Sequence, residues 1–262
     1  MLNEVIEIAI GAGKKVLEVY DDAYTIHDKA DRSPLTIADQ LSHTHILNEL
    51  SKLFPTFPIL SEEGASIPFK ERKNWSSFWL VDPLDGTKEF IKKNGEFTVN
   101  IALIQGNRPV LGIIYAPVTD TLYYAEKNKG AYKLMTASSL EKRKQVKINT
   151  ASSGVKKIVI SRSHLSDATQ EYIEDLQRQE GKLEFTSIGS SLKFCLIAEG
   201  EAHYYPRMAP TMEWDTAAGQ IIVEEAGGLV INYDTGTPLF YNKKDLKNPS
   251  FLCGINKVIG YN

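Results

Sequence analysis

Residues 80–90 read LVDPLDGTKEF. An apolar run, Phe78 to Val81, stops at Asp82 and Pro83, and Asp85 follows with Gly86 and Thr87. The run has the bulk of a buried strand. Pro83 stiffens the backbone, and Gly86 permits a conformation that other residues resist. Asp85, ahead of Gly86, Thr87 and Lys88, has the form of a helix N-cap, with Thr87 in the opening turn. Taken alone, the stretch reads as a strand end, a turn and a capped helix, because carboxylates so spaced usually cap helices or face water.

Two other stretches change the weighing. Ile59-Leu60-Ser61 runs into Glu62-Glu63-Gly64, a second strand ending on acids, and Trp214-Asp215-Thr216 places another acid at the mouth of an apolar helix. If these ends converge, several carboxylates share a small volume. Two charges ~5 Å apart repel by roughly 3 kcal/mol at an effective dielectric of about 20. Such a cluster either takes up protons or holds a hard divalent cation, Mg²⁺ above all. Cations beside the helix that follows Asp85 make a phosphate site, with the first amides receiving phosphoryl oxygens. Two ions would polarise the phosphoryl group and activate water, which is the chemistry of phosphoester hydrolysis without a covalent intermediate.

Working outward, Leu2–Tyr20 has amphipathic helical spacing, 33–39 is turn-like, and 41–54 returns to helical spacing. Strands follow at 58–61 and 78–81. Residues 97–105 and 109–116 form a hairpin around Gly106, and 121–126 and 131–134 extend a meander, so one sheet is largely antiparallel. Outside that last strand, 127–149 reads as a polar surface crossing. Beyond it come strand 157–161, helix 166–179, strand 183–187, helix 192–198, an extended 202–205, and helix 216–226 stopped by Gly227-Gly228. Strands 229–233 and 250–255 close the chain. A soft boundary near 150 divides an N-terminal half, 1–150, from a C-terminal half, 151–262.

The chain has 262 residues, 42% of them hydrophobic, enough for a substantial core, and its net charge of −3 gives no global case for nucleic-acid binding. No window approaches the ~18 uninterrupted apolar residues of a membrane span, and the first residues do not resemble a signal peptide. Cys195 and Cys253 sit singly in apolar contexts and read as buried free thiols of a reducing compartment, with a disulfide as the alternative that the core does not need. Oligomeric state is not legible here.

The motifs SEEG, DPLDGT and WDTAAG, in this order, resemble those of the inositol monophosphatase superfamily of lithium-sensitive, Mg²⁺-dependent phosphatases. The resemblance implies a layered α/β fold, an α-β-α-β-α sandwich. It implies two or three Mg²⁺ ions held by Glu62, Asp82, the Leu84 carbonyl, Asp85 and Asp215, with Glu63 supporting Glu62. Thr87 matches the threonine that orients the attacking water with an acidic partner. In SPLTIADQ that partner is Asp39, which would otherwise read as the N-cap of helix 41–54.

Within the superfamily, TSIGSSLKFCLIAEG (186–200), YYPR (204–207) and DPLDGTKEFIKKNGEFTVNIALI resemble the CysQ branch of bacterial 3'(2'),5'-bisphosphate nucleotidases. That likeness implies removal of the 3'-phosphate of adenosine 3',5'-bisphosphate (PAP), and of PAPS as a further substrate, in sulfur assimilation and nucleotide recycling. Glu62, Asp85, Gly86, Thr87 and Asp215 would meet the reacting phosphate. His164, Ser190, Lys193 and Arg207 would hold the nucleoside and its second phosphate, for which fixed cations are the natural partners. Each has a plainer alternative: a surface histidine, a helix cap, a solvated lysine, a loop arginine. The branch implies a small-molecule nucleotide substrate and a cytoplasmic enzyme; some relatives attach peripherally to the inner face of a bacterial membrane, although no basic amphipathic anchor stands out. The competing functions are an inositol-1-phosphate phosphatase on the same scaffold and a non-catalytic metal- and nucleotide-binding module.

Overall fold

The computed structural model describes residues 1–20, 26–28, 34–64, 66–150, 155–162 and 166–255. Through the first half the elements run α1 (Leu2–Tyr20), β1 (Ile26–Asp28), β2 (Pro34–Thr36), α2 (Ile37–Leu53), β3 (Ile59–Ser61), α3 (Phe69–Arg72), β4 (Ser77–Asp85), α4 (Thr87–Ile91), β5 (Thr98–Gln105), β6 (Arg108–Ala116), β7 (Thr121–Glu126), β8 (Gly130–Met135) and β9 (Lys144–Ile148). They continue as β10 (Lys157–Ser161), α5 (Asp167–Glu180), β11 (Glu184–Ile188), α6 (Leu192–Ala198), β12 (Tyr204–Arg207), α7 (Glu213–Glu225), β13 (Gly228–Asn232) and β14 (Phe251–Ile255).

Strands β4 to β9 form an antiparallel meander, and β3 joins it in parallel beside β4 to complete a seven-stranded sheet. A second, five-stranded sheet has the order β11-β10-β12-β14-β13, with β10 parallel to both neighbours. Side chains alternate across a strand. On β4 this sends Trp79 and Val81 into the cluster shared with α1 and α2, and Phe78 and Leu80 into the cluster shared with α6, α7 and the second sheet. Buried on both faces, β4 therefore reads as a continuous apolar run. Ile173 and Leu176 of α5 pack on the far side of the second sheet, against Ile158 and Tyr204. The layers are α1/α2, the large sheet, α6/α7, the small sheet, and α5, as the resemblance implied.

The middle helix fits because its sequence is small where the neighbours are close. A Cβ added to Gly112 of β6 would lie 2.4 Å from Ile221 Cγ2 and 2.7 Å from the Ala218 carbonyl oxygen, and one added to Gly219 would lie 2.4 Å from Phe194 Cγ. Ala217, Ala218 and Gly219 thus let α7 lie between two sheets at contact distance.

Several boundaries differ from the sequence reading. Strand β4 does not stop at Val81 but runs to Asp85, with a register shift between Asp82 and Asp85. Pro83 has no N–H to give a ladder, and a bulge is where a strand accommodates it. Asp85 is therefore the last strand residue rather than a cap; the cap position belongs to Gly86. Helix α2 begins at Ile37, which puts Asp39 inside its first turn. The polar segment 127–149 contributes β9 as well as β8, because an edge strand facing water shows no apolar alternation. Among the described residues no helix is long and apolar enough to cross a membrane.

The close approach of β6 to α7 predicts that Gly112→Ala lowers stability by about 1–3 kcal/mol. Urea unfolding should show a lower midpoint with an unchanged slope. An unchanged midpoint would mean that the two elements part without cost.

Candidate active site

The acids are brought together by strand pairing. Ser61 of β3 is in register with Val81 of β4, and Glu62 N donates to the Val81 carbonyl at 3.1 Å, which sets Glu62 beside Asp82. Alternation puts Asp82 on the α7 side, fully buried, with Oδ1 accepting from Leu84 N at 3.2 Å. Asp215, in the first turn of α7, accepts from Met212 N at 2.8 Å. Ser42 of α2 donates to the Pro83 carbonyl at 2.7 Å, tying the helix that carries buried Asp39 to the bulge. Gly86 has φ +95°, and a Cβ there would stand 3.1 Å from the Glu96 carbonyl oxygen, so only glycine turns the chain from β4 into α4 without strain. Thr87 opens α4 with its Oγ1 3.5 Å from the Leu84 carbonyl oxygen.

Confinement raises the proton affinity of these groups. Burial first, and then the charges of Glu62, Asp85, Asp215 and Asp39, hold the Asp82 carboxyl well above the usual carboxylate range. Asp215 is pushed up to about 7 by burial and by Asp85, against the opposing pull of the Met212 amide, Arg207 and Lys193. Glu62 is displaced upward too, by burial and by Asp215, Glu63, Asp85 and Asp39. Glu62 is exposed and lines the cavity.

A cavity of about 500 Å³ collects these elements, lined by Glu62, Glu63, Asp85, Gly86, Thr87 and Asp215 together with Ser190, Lys193 and Arg207. Lys193, in the first turn of α6, is buried; its ammonium donates to the Ser190 carbonyl and to the Ile188 carbonyl at 3.4 Å, and lies 5.5 Å from the Tyr205 ring centroid. Burial lowers it to about 8, partly offset by Asp85. Arg207 is buried two residues beyond Tyr205 on β12, so both share the cavity face.

The structure thus brings together Glu62, Asp85, Gly86, Thr87, Ser190, Lys193, Arg207 and Asp215, with Asp82 and Leu84 buried on the β4 segment that leads into the cavity wall. His164 lies outside the described residues. The N-cap position of α6 falls to Ser191, which makes no side-chain capping bond, while Ser190, with φ +46°, accepts from Leu192 N at 3.5 Å through Oγ. Lys193 and Arg207 are neither a solvated lysine nor a loop cation. Sequence reasoning missed Phe194 on the cavity wall, and Asn100 and Ser191, which contact Asp85.

The donor set is all oxygen: carboxylates and the Leu84 carbonyl. Its chemistry fits a hard divalent cation such as Mg²⁺. Among the described residues no three acidic, histidine or cysteine side chains already close on a common point. Asp82, Asp85 and Asp215 each give an oxygen to a protein donor instead, namely Leu84 N, Ser191 Oγ and Met212 N.

The sequence profile of the inositol monophosphatase family matches residues 1–259. The 3'(2'),5'-bisphosphate nucleotidase CysQ of Salmonella typhimurium is 47% identical over 257 residues, 97% of this chain and 100% of the relative. The crystal structure of CysQ from Bacteroides thetaiotaomicron superposes with a TM-score of 0.84 at 46% identity, covering 97% of both chains. A Thermotoga maritima IMPase, at 22% identity, shares the fold with a TM-score of 0.78 over 98% of this chain and 94% of its own.

Raised carboxyl groups make metal-free stability depend on pH. Between the usual aspartate range near 4 and about 7, where folded Asp215 titrates, the folded state keeps protons that the unfolded chain has released. Stability is therefore full below this window and lost as pH rises through it. The Tm of chelator-treated protein should fall from pH 5 to pH 7.5, Mg²⁺ should restore most at the upper end, and Asp215→Asn should flatten the slope. A metal-free Tm that climbs over this range would remove the argument for confined charge.

Proposed function

The chain belongs to the inositol monophosphatase family, and we propose that it is a magnesium-dependent 3'(2'),5'-bisphosphate nucleotidase that converts PAP to AMP and phosphate. PAPS is its second substrate in this reading, and the cytoplasm its place of action. The observation that carries the reading is that one cavity joins the carboxylates to two buried cations, Lys193 and Arg207. Two buried cations on the wall of a cavity are charge-assisted donors for an anion that enters it, and a nucleotide with a second phosphate supplies one. Inositol 1-phosphate brings a single phosphate, which the acidic side already claims. The CysQ relatives also stand far closer in sequence than the Thermotoga IMPase.

Glu62, Asp82, Asp85, Asp215 and the Leu84 carbonyl would hold two or three Mg²⁺ ions. When bound, these would polarise the phosphoryl oxygens and favour ionisation of water. The protein's own groups do the rest. Asp39 and Thr87 orient the attacking water, and the amides at Gly86 and Thr87 receive the 3'-phosphate. With only five residues in α4, those amides act through direct hydrogen bonds more than through a long helix dipole. Lys193 and Arg207 bind the 5'-phosphate as charge-assisted donors, and Ser190 and His164 hold the nucleoside.

Phosphate release from PAP should require Mg²⁺, stop with chelator, be inhibited by Li⁺, and exceed release from inositol 1-phosphate. A clear preference for the inositol ester would overturn the assignment. Asp85→Asn should fold yet lose most activity at ordinary Mg²⁺. Lys193→Met should raise the KM for PAP by about 10- to 100-fold, the equivalent of ~1.5–3 kcal/mol for a hydrogen bond to a charged group. An unchanged KM would remove Lys193 from the binding site.

A further inference from the structure

Ser191 stands at the N-cap of α6, where a serine hydroxyl ordinarily accepts from an amide of the first turn, but no such bond is made here. The hydroxyl turns instead to Asp85 and donates to Oδ2 at 2.6 Å. A second acceptor, the Asp215 carbonyl oxygen, lies 3.1 Å away, but the shorter contact to a carboxylate takes the single proton. Asn100 of β5 completes the arrangement: its Nδ2 donates to Ser191 Oγ at 2.9 Å and lies 3.3 Å from the same Asp85 Oδ2.

Asn100 is buried, and among the described residues its own Oδ1 has no hydrogen-bond partner. Turning the amide over would supply no donor to Asp85 and would set two oxygens against each other. The orientation is thus dictated by the carboxylate, at the expense of an orphaned acceptor worth about 1–3 kcal/mol. Two residues therefore each forgo an ordinary stabilising bond to hold one oxygen of Asp85.

We propose that Ser191 and Asn100 are positioning residues that fix the Asp85 carboxylate by Oδ2 and present Oδ1 to the cation. The inference rests on the reading of Asp85 as a Mg²⁺ ligand. It assigns to Ser191 a part distinct from that of its neighbour Ser190: Ser190 faces the nucleotide, and Ser191 holds a ligand contributed by the other half of the chain. Groups that orient a metal ligand typically change metal affinity or activity by about 10- to 100-fold when removed.

The test is Mg²⁺ titration of wild type, Ser191→Ala and Ser191→Thr, read both as phosphate release from PAP and as the rise of Tm without substrate. Ser191→Ala should need about 10- to 100-fold more Mg²⁺ for half-effect in both readouts, with activity recovering at high Mg²⁺ and the KM for PAP unchanged. Ser191→Thr, which keeps the hydroxyl, should move the curve back toward wild type. Asn100→Ala should displace it less and in the same direction, and serves if Ser191→Ala fails to fold. A lowered metal-free Tm with an unmoved Mg²⁺ curve would overturn the proposal, as would a wild type that Mg²⁺ does not stabilise. A wild type stabilised by Mg²⁺ but inert toward PAP would instead defeat the nucleotidase reading, and the shifted Tm curve of Ser191→Ala would still support the positioning role.

Discussion

Carboxylates packed into a cavity walled by apolar strands repel one another, and the surrounding protein offers little dielectric screening. Asp82 feels Glu62, Asp85, Asp215 and Asp39 at once, with its own burial as the largest cost. A fold that stored this arrangement for stability alone would be poorly built, since apolar residues of the same size would pack there without penalty. In the proposed reading a cation completes the concentration of charge. The bulge in β4, the parallel pairing of β3 and the placement of α7 are the means by which that concentration is assembled.

The middle helix is where the two sheets become one device. Its small residues let it touch β6 on one side and Phe194 of α6 on the other, so its first turn, with Asp215, is held against both. Asp85 comes from the first sheet, Asp215 from the central layer, and Lys193 and Arg207 from α6 and β12. Acidic and basic groups reach the same cavity from the large sheet, the helix layer and the small sheet. In the proposed reading the acids meet a phosphoryl group and its metals, and the bases meet the remainder of an anionic substrate.

Much of this was legible in the sequence because the residues concerned are distinctive by type. A strand ending on acids, a glycine after Asp85, a lysine and an arginine each have a plainer reading alone, and it is their joint occurrence in order that carries chemical meaning. The hairpin at Gly106 and the paired glycines after α7 were legible for the same reason. The run of β4 past Pro83 was not, because proline normally ends a strand and only the register of β5 shows that the ladder resumes at Asp85. Strand β9 was hidden by its exposure. Ser191 and Asn100 were invisible for another reason: they are common neutral residues, 106 and 15 positions from Asp85, and no local pattern signals a contact over such separations.

The two cysteines are free and buried, Cys195 on α6 and Cys253 on β14, both in the core that joins the sheets. Burial raises both thiols well above their ordinary range, so the reactive thiolate is scarce in the folded state. Oxidants and alkylating reagents can reach these sulfurs only when the central layer separates. The pair is thus a built-in clock: the rate at which a thiol reagent is consumed counts the openings of the layer on which the whole cavity is mounted.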